Sequence, residues 1–115
     1  MRQPPVSVIE FAAYRRQVDK LLTADERDAV IELIAYDPNC GDLIPGTGGL
    51  RKVRVGRGGS GKRGGARVIY YFYNAEFPLL LLGLYAKNEK SDLSTREKMK
   101  LVDAVKEITG PWQRR

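Results

Sequence analysis

The residues best equipped for chemistry are cations, and they are clustered. Arg51, Lys52, Arg54, Arg57, Lys62, Arg63 and Arg67 lie between Leu43 and Ala75, a stretch without Asp or Glu. The other 13 Lys and Arg face 14 Asp and Glu, so this one block carries the whole net charge of +6. Crowded like charge destabilises a compact chain and calls for a polyanionic partner. Tyr71, Tyr85, Lys87 and Lys90 follow within the next segments. Guanidinium groups hold phosphate through paired, permanently charged contacts, and aromatic rings take stacked bases.

Other chemistries are excluded by what is missing. There is no His, so acid–base catalysis by a His pair is ruled out. A zinc site built on the single Cys40 is implausible, and Cys40 also lacks the usual base that activates a thiol. Cys40 is read as a packing residue. The run GRGGSGKRGG, Gly56 to Gly65, invites comparison with a phosphate-cradling loop. It joins strand to strand and lacks the Walker spacing, so a nucleotide P-loop is rejected. No metal or cofactor is expected.

One cysteine allows no internal disulfide, which suits a reducing compartment. The longest apolar run, Phe77 to Ala86, is too short to cross a bilayer, and MRQPPVSVIEF lacks the pattern of a signal peptide. The expectation is a cytoplasmic protein with no membrane partner.

Elements that position the cations are legible from periodicity. The 115 residues suit one domain, 1–115, with a single modest core. After Pro4-Pro5, Val6 to Ile9 reads as an edge strand. Phe11, Tyr14, Val18, Leu21 and Leu22 place an apolar stripe on a helix. Thr23 and Glu26 form a capping-box pair that opens a second helix, stopped at Pro38. Asp42 to Gly49 reads as a loop. Leu50 to Val55, Ala66 to Tyr73 and Leu79 to Lys87 read as strands, with the leucine run buried on both faces. Ser94 and Glu97 cap a last helix whose Leu101, Val102, Val105 and Ile108 face inward. Residues 56–65 are expected to be a flexible basic connection and 111–115 a frayed tail in which Trp112 docks on the body. The class is α+β, order β-α-α-β-β-β-α, with a mainly antiparallel sheet packed against helices.

Strand alternation then sorts the charges. Val53 and Val55 belong inward together with Arg51, so Lys52 and Arg54 point the other way. On the next strand Arg67 and Tyr71 share a side. On the leucine strand Leu81, Gly83, Tyr85 and Lys87 share a side. One face is thus expected to show Lys52, Arg54, Arg67, Tyr71, Tyr85 and Lys87, a mixture of cations and rings suited to single-stranded nucleic acid. The bland reading, cations that merely solubilise exposed strands, fits a 33-residue acid-free stretch poorly.

Three segments carry a family likeness. GDLIPGTGGLRKVRV, KRGGARVIYYFY and LYAKNEKSDLS resemble the HigB-type branch of the RelE/ParE toxin superfamily. The likeness runs from about Val6 to Ile108. It implies a microbial RNase-like fold and the toxin of a type II toxin–antitoxin pair. It further implies entry into the ribosomal A site and mRNA cleavage without a metal, the ribose 2′-OH attacking the neighbouring phosphate. A cognate antitoxin, of helix-turn-helix type in HigB-like pairs, neutralises such a toxin, and operator DNA is contacted only through their complex. Carried over by position, the family's basic pair falls on Lys52 and Arg54, its strand-opening Arg on Arg67, and its basic segment on Lys87 to Lys90. Asn88 stands where RelE has an Arg, and Ser94 where it has a Tyr, which leaves the acid–base assignment open.

Within that reading Arg54 and Arg67 stabilise the phosphorane, for guanidinium cannot act as a base. Lys52, Lys87 and Lys90 are the candidate bases, if neighbouring cations lower a lysine toward neutrality. Tyr85 is a relay or a stacking ring. Arg51, Arg57, Lys62, Arg63 and Tyr71 are expected to contact messenger or ribosomal RNA. Two rival classes stay open: a ParE-like inhibitor of DNA gyrase, and an RNA-binding module without catalysis.

Overall fold

A computed structural model describes residues 4–56 and 65–114. The strand β1 (Val8–Glu10) and the helices α1 (Ala12–Leu21) and α2 (Ala24–Tyr36) open the fold. The strands β2 (Asp42–Leu43), β3 (Leu50–Val55), β4 (Ala66–Tyr71) and β5 (Leu79–Ala86) follow. Helix α3 (Thr95–Thr109) and a short 3-10 helix (Pro111–Arg114) end it. The expected α+β class is thus observed.

Five strands form one sheet in the order β1-β5-β4-β3-β2, with β1 parallel to β5 and the other pairs antiparallel. β5, in the interior of the sheet, is covered on both faces, and Leu79, Leu80, Leu81 and Leu82 are fully buried. On one face Tyr14 and Val18 of α1 and Val30 and Ile34 of α2 pack on Val55, Val68, Tyr70, Leu79, Leu81 and Leu84. On the other face Val102 and Val105 of α3 pack on Leu50, Ile69, Tyr71, Leu80, Leu82 and Tyr85.

Local chemistry sets the helix ends. Thr23 and Ser94 each accept the backbone N–H three residues on, and Glu26 and Glu97 return the bond to the cap N–H. Each reciprocal cap satisfies two otherwise orphaned donors. Arg27 binds Glu10 at 3.1 Å and Asp19 at 3.1 Å, which ties α2 to β1 and α1. The chain leaving α2 is anchored by Tyr70, whose hydroxyl donates to Pro38 O at 2.8 Å and accepts from Gly41 N at 2.8 Å. Gly41 must be glycine there, because a Cβ would sit 2.9 Å from the Tyr70 ring.

Several expectations are corrected. Asp42–Leu43 pairs with Arg51 and Lys52 as a short strand, where a loop was expected. Two residues before Pro45 are too few to show a period of two. β4 ends at Tyr71 instead of Tyr73. A register shift lies opposite Ile69/Tyr70, where Ile69 pairs with Gly83 and Tyr70 with Leu81. This bulge at Leu82 breaks strict alternation, so Leu81 faces α1 and α2 while Gly83 and Tyr85 face α3. Ile108 is 38% exposed, and its expected inward place is taken by Thr109, 2% exposed. Pro111–Arg114, expected to be frayed, instead form the 3-10 helix, while Trp112 docks as expected, stacked on Phe77 at 4.6 Å between centroids.

Candidate nucleic-acid interface

Antiparallel pairing builds the basic face one row at a time. Arg54 pairs with Arg67, and Arg67 with Tyr85, so the three side chains form one row across β3, β4 and β5. The next row is Lys52, Ile69 and Gly83. Neighbouring strands are about 4.8 Å apart, so each row gathers its side chains within the reach of one nucleotide.

The Arg54–Arg67 pair is electrostatically unfavourable in the free protein, since like charges directly opposite repel. Arg54 is exposed, whereas Arg67 is only 9% exposed. Among the described residues neither makes a salt bridge, and Arg67 donates to the carbonyl of Ala66 at 3.4 Å. A largely buried guanidinium beside a second one is a ready anion site, because an arriving phosphate offsets both the desolvation of Arg67 and the repulsion between the pair.

Tyr85 is 7% exposed and its ring lies beneath Lys90, whose Nζ is 5.9 Å from the centroid. Burial, and then the charge of Asp92, pushes its hydroxyl up to about 12, so the group is a donor at neutral pH. It donates weakly to Asp92 Oδ1 at 3.5 Å. The same carboxylate oxygen pairs with Lys52 Nζ at 3.3 Å. The Leu93 N–H, and then Lys52, hold Asp92 below the usual carboxylate range. Lys90 pairs with Glu97 Oε2 while Glu97 Oε1 accepts the Ser94 N–H. Lys90 and then that backbone donor hold Glu97 low. Lys87 Nζ donates to Ser91 O at 3.3 Å, and its N–H to Gly65 O at 2.9 Å.

The structure therefore brings Lys52, Arg54, Arg67 and Tyr85 onto one face, with Lys90 over the ring. Lys87 follows at the end of β5. It does not bring Arg51 there. Arg51 projects from the opposite face of β3 and donates to the carbonyls of Asn39 at 3.2 Å and Gly41 at 2.7 Å. Tyr71 lies on the expected face but is 8% exposed, packed among Ile44, Leu50 and Leu80. Arg57, Lys62 and Arg63 lie outside the described residues. Asp92 and Glu97 were missed by sequence reasoning as site residues. A search for cations passes over acids, although Asp92 sits inside the segment LYAKNEKSDLS and Glu97 was visible as a cap. The two lysines are thus in ion pairs rather than in a crowd of cations.

Among the described residues, no group of three or more His, Cys, Asp or Glu side chains is arranged to hold a metal ion. Among the described residues, likewise, no helix is long and apolar enough to cross a membrane.

Residues 12–113, from α1 through α3 and into the 3-10 helix, match the family described as the RelE toxin of the RelE / RelB toxin-antitoxin system. That span takes in every strand that carries the Arg54–Arg67–Tyr85 row and the capped helix that holds Lys90. The chain belongs to the RelE toxin family, whose members are paired with a cognate antitoxin.

Proposed function

We propose that this toxin is a ribosome-dependent RNA endonuclease, of HigB-like character, that inhibits translation. The observation that carries the reading is the Arg54–Arg67 pair, two guanidinium groups aligned across adjacent strands with no carboxylate partner among the described residues.

The reaction is a transesterification. The 2′ oxygen forms a bond to phosphorus and the bond from phosphorus to the 5′ oxygen breaks, leaving a 2′,3′-cyclic phosphate and a 5′-OH. Arg54 and Arg67 bind the non-bridging oxygens and stabilise the extra negative charge of the phosphorane. The 2′-OH proton passes to a base; Lys52 and Lys90 are held in ion pairs with Asp92 and Glu97, which favour the charged ammonium, so Lys87, whose Nζ meets the Ser91 carbonyl, is the remaining candidate of the three. Tyr85 is suited to donate toward the leaving oxygen, because its hydroxyl keeps its proton. Asp92 orients both Lys52 and Tyr85 from one oxygen. The antitoxin is proposed to be a helix-turn-helix protein, with operator DNA contacted only through the complex.

Purified protein mixed with mRNA-programmed ribosomes tests this directly. Wild type is expected to yield cyclic-phosphate ends. Arg54→Ala and Arg67→Ala are each expected to slow cleavage roughly a hundredfold, about 3 kcal/mol of transition-state stabilisation, with the fold retained. Full activity in both variants overturns the assignment. Binding without cyclic-phosphate ends identifies a non-catalytic RNA module. Broken DNA with intact transcripts identifies a gyrase inhibitor.

A further inference from the structure

β5 reads LLLLGLYA, and Gly83 is its single partly exposed residue. Glycine weakens the interior of a strand, so it ordinarily answers a need for positive φ or for close approach. Neither need exists here. Among the described residues the positive-φ glycines are Gly46, Gly48 and Gly49. A Cβ built on Gly83 would meet no heavy atom within 4 Å. The neighbouring bulge does not require glycine either, because Gly83 does not take the left-handed conformation that such bulges exploit. The fold would accept a side chain at this point, and the chain supplies none.

The position of this open space is informative. Gly83 faces the α3 side of the sheet, in the row of Lys52 and Ile69. Tyr85 lies two residues along β5, in the row of Arg54 and Arg67. Two strand residues span about 6.7 Å, one nucleotide step from a phosphate held by the arginine row. Ile69, opposite Gly83 in that row, is 1% exposed, so it backs the sheet from within the core beside the opening. The pairing of β1 with β5 ends at Glu10 and Leu81, and Phe11, packed against the same cluster, follows there. Phe11 and Tyr85 carry rings, and half-buried Lys52 stands at the far end of the row.

We propose that the open space over Gly83 is a nucleobase subsite. It seats the base next to the phosphate bound by Arg54 and Arg67 and so influences which nucleotide is presented for attack. The choice of RNA as ligand rests on the endonuclease reading. A side chain at position 83 would occupy volume that the base needs.

The test uses the full-length protein and short 2′-O-methyl RNA trinucleotides, which lack the attacking hydroxyl, with each base varied in turn. Backbone amide shifts are followed by NMR in wild type, Gly83→Ala and Gly83→Val. Wild type is expected to show base-dependent shifts at Gly83 and Ile69. Gly83→Ala, which adds one methyl, is expected to bind about tenfold more weakly, and Gly83→Val, which adds three carbons, more weakly still, with an altered order of base preference. Both variants are expected to keep the wild-type thermal midpoint. Should Gly83→Val fail to fold, Gly83→Ala, whose Cβ meets nothing in the protein, carries the same comparison. Unchanged affinity and base order, or amides at Gly83 and Ile69 that ignore the oligonucleotide, overturn the subsite. Binding at Gly83 by a wild type that cleaves nothing on ribosomes overturns the endonuclease reading and leaves the subsite standing. Cleavage by wild type with base order untouched in the variants does the reverse.

Discussion

Arg54 and Arg67 illustrate a cost that only a ligand removes. Facing like charges lose roughly 0.5 kcal/mol relative to a neutral pair. Arg54→Gln is therefore expected to raise the thermal midpoint of the free toxin by about 2–4 °C while cleavage collapses. A lower midpoint in calorimetry would mean that Arg54 is held by the protein itself. Asp92 and Tyr85 make a second residue-level case. Asp92→Asn removes the charge that pairs Lys52 and accepts from Tyr85. Turnover on ribosomes is expected to fall about tenfold, with little change in the concentration of ribosomes needed for half-maximal rate. Because the Tyr85 hydroxyl is pushed to about 12, it does not titrate in ordinary assays. The rate ratio of Tyr85→Phe to wild type should stay flat between about pH 6 and 9. A ratio that changes with pH across that range removes Tyr85 from the role of proton donor.

At the scale of elements, two capping boxes have equal local chemistry and unequal functional weight. The Thr23 box opens α2, away from the basic face, while the Ser94 box opens α3 beneath Lys90. Thr23→Ala and Ser94→Ala should each cost about 1 kcal/mol, a fall of roughly 4–8 °C in midpoint. Only Ser94→Ala should also slow cleavage, since Glu97 holds both the cap and Lys90. Equal cleavage by the two variants would separate the cap from the site. The acids in this region also set an acid-side limit. Asp92 and Glu97 are held below their usual range, so they stabilise the fold above that range and lose the contribution as pH falls through their lowered values. The side chains are 50% and 42% exposed, so the effect is small and screened by salt. Glu97→Gln keeps a capping side chain but not the charge. Urea titrations of that variant should show a shallower loss of stability on acidification than wild type.

For the whole molecule, the net charge of +6 is distributed unevenly. The arginine row lies on the α3 face, and α2, on the opposite face, carries four acids against one Arg. A polyanion therefore meets the toxin in a preferred orientation. Arg57, Lys62 and Arg63 extend the same charged block in sequence. Replacing all three with Gln should weaken ribosome association and reduce the slope of log affinity against log salt by roughly 2, without changing the chemical ends of the product. An unaltered slope would remove these residues from the binding surface.

Sequence alone determined the pieces that repeat a short physical pattern. The acid-free block, the two T/S-x-x-E caps and the alternation of β3 each needed only neighbours within a few residues. Those patterns were enough to put Lys52 and Arg54 on one side and Arg51 on the other. Tertiary structure decided what depends on partners far along the chain. The Leu82 bulge is set by how β5 fits β4, so Leu81 could not be assigned to its face from alternation. Asp92 joined Lys52 and Tyr85 only because the α3 approach crosses the sheet there. The emptiness over Gly83 is likewise a property of packing, since a glycine code letter is the same whether its side is crowded, as at Gly41, or open.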